Sequence, residues 1–430
     1  MATRVAERRS YGVGRTGAGW WALVLILLGL VGLGIRAYIH QFTQGEIVTG
    51  MRDIGTGGGA AWGLYIAFVV YFVGVSFAGI TVASLIRLLN MKQLRPVSRI
   101  AELLTIISLP LGAFAILADL GQPGRGIVHL LRYARLQSPF FGTLTLVIAG
   151  YFFASLVYLY LAGRRDAALY ARKPGRLQWF HRLWAAGYKD SPAEQERHAR
   201  TSWWLALAIL PLLVTAHSTL GFVFGIQVGR PGWFSALQAP GFVVLAGASG
   251  IGLLIVVAAL LRQLMGLKRE LNLDVFRWLG NFLWVLTLAY LYFMVAELLT
   301  ANYAAQLHEG IVSSAIISGE YAWLFWLSVV LLVVPFVLLL VQFLTRRYSL
   351  ALIVMAGVMV NLAAIGKRFL IVVPSQTHGT VLDYLPGSYS PTWVEYSIIL
   401  GLFALGALMY AVFIKVFPIV EMPEKIGGGG

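Results

Sequence analysis

Cysteine is absent from all 430 residues. No thiolate is therefore available to ligate an iron–sulfur cluster, and no disulfide can form within the chain. Charge is scarce too: Asp, Glu, Lys and Arg make up 12% of the residues, about half the share in a soluble globular domain. Histidine occurs seven times, at 40, 129, 181, 198, 217, 308 and 378, and only His217 lies well inside an apolar run. A low-spin haem in a helix bundle needs two facing axial ligands, so a di-haem cytochrome is not expected. Walker and dinucleotide fingerprints are lacking; the glycine run Gly55-Thr-Gly-Gly-Gly-Ala60 precedes a helix but follows no strand. No His/Asp/Glu spacing suggests a metal site. The 33 basic residues against 18 acidic ones give a formal charge of +15, but they are spread by topology rather than gathered into a nucleic-acid patch.

What is abundant is apolar sequence, at 59% of the chain. It falls into ten runs long enough to span a bilayer, roughly 20–39, 61–88, 102–120, 139–163, 201–226, 240–264, 278–300, 321–345, 349–372 and 393–417. The expected fold class is all-α integral membrane. The first run lacks a small-residue cleavage site and reads as a span rather than a signal peptide. Lys and Arg set the orientation: with the N-terminus inside, 25 of 33 lie on the inner side and 8 near the outer one. The inner group includes Arg4, Arg8, Arg9, Arg99, Lys173, Lys415 and Lys425. Both termini are expected in the cytoplasm. The inner loop 164–200, with Trp179 and Trp184 among its charges, reads as an interfacial segment on anionic lipid or as a partner-docking surface. The chain has no catalytic domain of its own, so redox chemistry would need electrons from other subunits.

Depth along each helix locates the candidate residues. Asp119 lies about 25 Å outward of Glu102, at 1.5 Å per residue. His217 lies about 24 Å outward of Thr201 on the same rise. Trp62 and Tyr65 fall in the first outer turns of helix 2. A carboxylate at membrane depth is a functional candidate; the alternatives are a helix end wetted by water or a pairing with Arg125. For His217 the alternative is a core histidine bonded to a neighbouring hydroxyl, and for the aromatics an interfacial belt. A second set repeats the order. Tyr290 and Glu297 lie near the outer end of helix 7, and Lys367 and Arg368 at similar depth in helix 9, as a structural ion pair or a proton path. The expected divisions are 1–60 (tail, helix 1 and outer link), 61–226 (a first four-helix bundle, helices 2–5), 240–372 (a second, helices 6–9) and 393–430 (helix 10 and tail).

Several motifs resemble the polysulfide-reductase membrane-subunit (NrfD-like) family. They are Gln41-Phe-Thr-Gln-Gly-Glu-Ile-Val-Thr-Gly-Met51, Trp62-Gly-Leu-Tyr-Ile66, Asp119-Leu-Gly-Gln-Pro123 and Thr215-Ala-His-Ser218. Pro231-Gly-Trp233, Pro240-Gly-Phe242, Tyr290 with Glu297, Lys367-Arg-Phe369, Tyr389-Ser-Pro-Thr-Trp-Val-Glu395 and Phe417-Pro418 complete the set. The likeness covers residues 41 to 421 and is nearest the ten-helix branch of hydrogenase, sulfite-reduction-associated and alternative complex III assemblies. It implies two four-helix bundles with flanking helices 1 and 10, and no haem, cluster or metal in this chain. It further implies a site near the outer face of the first bundle for menaquinone or ubiquinone, which is a substrate, and an iron–sulfur partner subunit on that face.

The same resemblance implies further membrane subunits, a non-autonomous role in a respiratory or photosynthetic quinone oxidoreductase of the bacterial inner membrane, and, for some members, proton translocation. Carried over by motif, the site residues are Trp62, Tyr65, Asp119, Gln122, His217 and Ser218; from their chemistry and depth, Asp119 and His217 are the expected catalytic pair, acting together at one quinone. The stretch Arg52–Ala60 departs from the family pattern by lengthening the link before helix 2. The chemistry agrees, because a quinone turnover moves two electrons and two protons and needs carbonyl donors beside a titratable group. The competing readings are a secondary transporter, for which Pro110 and Pro211 lack counterparts in helices 7 and 9, and a structural membrane anchor.

Overall fold

The computed structural model describes residues 13–51, 59–133, 135, 137–138, 144–172, 174–303, 307–379 and 386–420. Arg4, Arg8, Arg9, Lys173, Lys425, most of the Arg52–Ala60 link and the expected start of helix 4 at 139–143 lie outside them. Among the described residues ten helices are long and apolar enough to cross a membrane. They are α1 (Ala18–Gln44), α2 (Leu64–Leu88), α3 (Lys92–Asp119), α4 (Thr145–Ala171), α5 (Pro192–Gly225), α6 (Gln238–Leu264), α7 (Leu273–Tyr303), α8 (Ala322–Thr345), α9 (Leu350–Thr377) and α10 (Trp393–Val416). No strand occurs among the described residues.

Several helices begin earlier than their apolar runs. An apolar run marks what hydrocarbon covers, whereas a helix continues until its end groups are satisfied. α5 starts at Pro192 because Ser191 and Glu194 form a reciprocal capping box, with proline at the first helical position. α3 extends back through a 3-10 turn, Lys92–Leu94, into Arg95 and Pro96.

α2 packs against α3 and α5, which both pack against α4; α6 packs against α7 and α9, which both touch α8. α2 also meets α6 and α9, and α5 meets α6. α1 and α10 lie together along their length, and α10 rests on α3. Glycine permits close approaches here: a Cβ at Gly250 would lie 3.0 Å from Ala78 N on α2, and one at Gly221 2.6 Å from the Ala239 Cα on α6. The first and last described segments share one end of the molecule, where Gly14 N donates to Lys415 O at 2.9 Å and Trp20 Nε1 to Ala411 O at 3.0 Å. That end also holds the buried Arg99–Asp166 ion pair, with Arg99 donating to Pro418 O at 2.8 Å. The helix Gln178–Ala185 folds back on α4 there, Trp184 against Phe417 and Leu183 exposed.

α2 is interrupted at Ser76 in mid-span. Carbonyls freed inside hydrocarbon need donors. Thr105 Oγ1 (2.5 Å) and Tyr151 Oη (2.8 Å) donate to Ser76 O, and His217 Nε2 lies 2.9 Å from Val73 O.

Candidate functional site

At the end opposite Arg99, α1, α2 and α3 bring polar side chains together where each helix enters or leaves its apolar run. The Tyr65 hydroxyl donates to Gln41 Oε1 at 2.7 Å. Gln41 Nε2 donates to Glu46 Oε1 at 2.9 Å and to Ala118 O at 2.7 Å. One buried amide thus ties the phenol of α2 to the carboxylate after α1 and to the last turn of α3. Its own geometry fixes the amide's sense, since only the NH₂ side can donate to Glu46 and Ala118.

Asp119 closes α3 one residue beyond Ala118. Its side chain is half-buried, yet its Oδ1 is fully buried and has no hydrogen-bond partner among the described residues. Glu46 stands beside the following turn: a Cβ on Gly121 would lie 3.4 Å from Glu46 Oε1. Glu395 is the third carboxylate of the group and is fully bonded. Its Oε2 accepts from Gly50 N (2.8 Å) and Thr392 N (2.9 Å), and its Oε1 from the Tyr389 hydroxyl, which in turn accepts from Leu64 N at 2.7 Å. No lysine or arginine forms an ion pair with any of the three among the described residues. Burial raises the Glu46 carboxyl above its ordinary range and Glu395 adds to this, while the bonds from Gln41 and Thr49 oppose it. Burial and the Glu395 charge likewise raise the Tyr389 phenol.

An aromatic wall adjoins the cluster. Trp62 stacks on Trp233 at 5.6 Å and meets Phe224 edge-on at 5.9 Å. Gln376 holds the Trp62 backbone on both sides, accepting from its N–H at 3.0 Å and donating to its C=O at 2.8 Å.

Tyr65 and Asp119 are therefore brought to one cluster, with Trp62 in the turn just before it. Gln122 lies on the exposed turn after Asp119, and Ser218 is half-buried on α5. His217 does not meet Asp119. It is 1% exposed, its Nδ1 is 2.8 Å from Leu213 O and its Nε2 faces Val73 O. Val73 lies eight residues past Tyr65 along α2, which places the imidazole roughly 12 Å deeper than the cluster. Rise counted from the start of each apolar run puts the two level; in the structure α5 meets α2 at Val73, and they are not. The hydrogen-bond partner differs from the expected hydroxyl as well, because the break at Ser76 presents carbonyls. A neutral imidazole can donate to one of the two carbonyls, and the protonated ring to both.

The expected Glu297–Arg368 ion pair is not formed. Arg368 stacks over Phe242 at 4.2 Å and donates to Phe242 O at 3.4 Å, and Lys367 lies 5.5 Å from the centre of Phe325. Aromatic faces on α6 and α8 reach these cations, whereas Glu297 on α7 does not come within ion-pair distance. Gln41, Glu46, Tyr389, Glu395 and Gln376 join the site without being among the residues the sequence points to. Four of them stand within the motif strings above; Gln376 carries no signal beyond being a polar residue at the end of an apolar run.

Among known proteins, a sequence model described as polysulphide reductase, NrfD, matches residues 53–379. A protein of Halobacterium salinarum, named provisionally as a membrane subunit of dimethyl sulfoxide reductase, is 30% identical over 94% of this chain and 92% of its own length. A selenate reductase subunit of Mesobacillus selenatarsenatis is 26% identical over 94% of this chain and 95% of its own. The Hdr-like menaquinol oxidoreductase integral membrane subunit of Archaeoglobus fulgidus is 26% identical, covering 94% of both chains.

Proposed function

The chain belongs to the NrfD polysulphide reductase family, and from that premise we propose that it is the quinone-interacting membrane subunit of a multi-subunit oxidoreductase. The observation that carries this is the cluster of Tyr65, Gln41, Glu46 and Asp119, with one buried carboxylate oxygen left without a partner. A quinone head at this point meets a phenol and two acids. Protonated, Asp119 donates to a quinone oxygen; ionised, it accepts from a quinol hydroxyl. Glu46, with its raised carboxyl, takes the proton on or supplies it, and Gln41 keeps Glu46 and Tyr65 in register. Phe114 and Ile116, exposed one turn before Asp119, offer an apolar path for the isoprenoid tail.

In this reading His217 positions the site, by holding the break in α2, and is not a ligand. The electrons pass to or from an iron–sulfur subunit docked over the short helix Pro123–Tyr133. None of that helix's residues is buried, and Leu131 is 81% exposed. The split of basic residues supports placing this end outside and both termini in the cytoplasm of a bacterial inner membrane. Reporter fusions after Gly175 and at the C-terminus should both score cytoplasmic, and an outward score at either rejects that topology.

The decisive test is Asp119→Asn in the complex purified with its own partners. Quinone turnover should drop by about a hundredfold or more while the complex stays assembled. Turnover within twofold of wild type would mean that the proton is handled elsewhere.

A further inference from the structure

A cavity of about 580 Å³ lies in the other half of the molecule, among the turn 232–238, the ends of α7 and α9, and the short helix Leu307–Ile317. Its apolar wall includes Met294, Leu298, Val312, Ile316, Phe325 and Leu370. Three charged side chains line the same space: Lys367, Glu297 and Glu309.

Lys367 is the telling residue. It is 7% exposed, and its ammonium has no hydrogen bond and no ion pair among the described residues. A buried ammonium without an acceptor is costly. Glu297 shares the cavity without closing on Lys367, so a gap separates charges of opposite sign. Glu309 adds a second carboxylate from the short helix that connects α7 and α8, outside the spans. Water would satisfy these charges but would leave the apolar wall wetted.

A ligand suited to all of this carries an anion, a cation and an alkyl chain. We propose that the cavity binds an aminophospholipid, its phosphate on Lys367, its ammonium between Glu297 and Glu309, and an acyl chain along Met294, Leu298 and Leu370. An anionic lipid would satisfy Lys367 but would face two carboxylates, and a quinone would leave all three charges unpaired. The bound lipid bridges α7, α9 and the 307–317 helix. This is independent of the quinone reading, because the two sites share no residue.

The test exposes the purified complex to equal amounts of phosphatidylethanolamine and phosphatidylglycerol with identical chains, and reads retained lipid by native mass spectrometry after detergent washing. Wild type should keep phosphatidylethanolamine about tenfold over phosphatidylglycerol, the size of one charged hydrogen bond. Lys367→Met should lose retention of both, and Lys367→Arg should restore it. The double variant Glu297→Gln/Glu309→Gln should prefer phosphatidylglycerol, a reversal that a misfolded protein would not show. Equal retention of the two lipids by wild type, no retained lipid, unchanged retention in Lys367→Met, or displacement by a short-chain quinone analogue would each overturn the proposal.

Discussion

The two halves of the molecule place ionisable groups at the same end and treat them in opposite ways. Around α1–α3 the polar residues are acids and phenols joined by hydrogen bonds, with Gln41 at the centre. Around α7–α9 two cations lie near a carboxylate but face aromatic rings and a cavity, with a single long hydrogen bond from Arg368 to Phe242 O. Acids set side by side without a cation oppose one another's charge, the arrangement the proposed proton transfer calls for. Separated opposite charges around empty space instead recognise something that carries both signs. A polar residue at membrane depth thus does not announce its task; its neighbours decide between moving a proton and holding a molecule.

The contrast can be broken by substitution. The largest effect is expected at the acid cluster. Glu46→Gln should lower quinone turnover by about a hundredfold at most, and combined with Asp119→Asn it should add little, because both serve one proton. Asp119→Asn with His217→Ala should instead combine additively, since the two residues share no partner. Full additivity of the first pair, measured by steady-state turnover, would dissolve the cluster as a unit.

His217→Ala comes next and is a stability effect. The Val73 carbonyl keeps the Ser76 hydroxyl at 2.6 Å, so losing the imidazole's bond to it should cost about 0.5–1.5 kcal/mol, seen as a lower melting temperature with quinone affinity in the assembled complex little changed. A loss of affinity without loss of stability would return the imidazole to the quinone. Tyr65→Phe is milder, a fall in quinone affinity of about fivefold from one neutral hydrogen bond, read by titration.

The smallest effect is a pH dependence. Because burial raises the Glu46 carboxyl, its proton is lost at a higher pH than from a free glutamate. In the quinol-oxidising direction Glu46 must be ionised to accept a proton. The rate should therefore climb as pH rises through that raised value, and in quinone reduction it should fall over the same window. Glu46→Gln should flatten this limb in either direction. A limb that persists in the variant would assign it to another group.

Ten spans among the described residues and the shared end for both described termini were legible from the chain alone. Apolar runs and the fixed rise of a helix determine how many spans the chain makes and how far apart residues of one helix lie, without reference to any other helix. Which residues meet was not legible. Gln41 lies between Tyr65 and Glu46 because α1 packs along α10 against α3, and His217 finds Val73 because α2 breaks where α5 crosses it. Arg368 chose Phe242 over Glu297 for the same kind of reason. Rise along a helix is a local property, whereas its offset against its neighbours, its rotation about its axis and its choice of neighbour depend on packing between segments far apart in sequence, and only the tertiary structure settles those; His217, level with Asp119 by rise alone, meets Val73 instead.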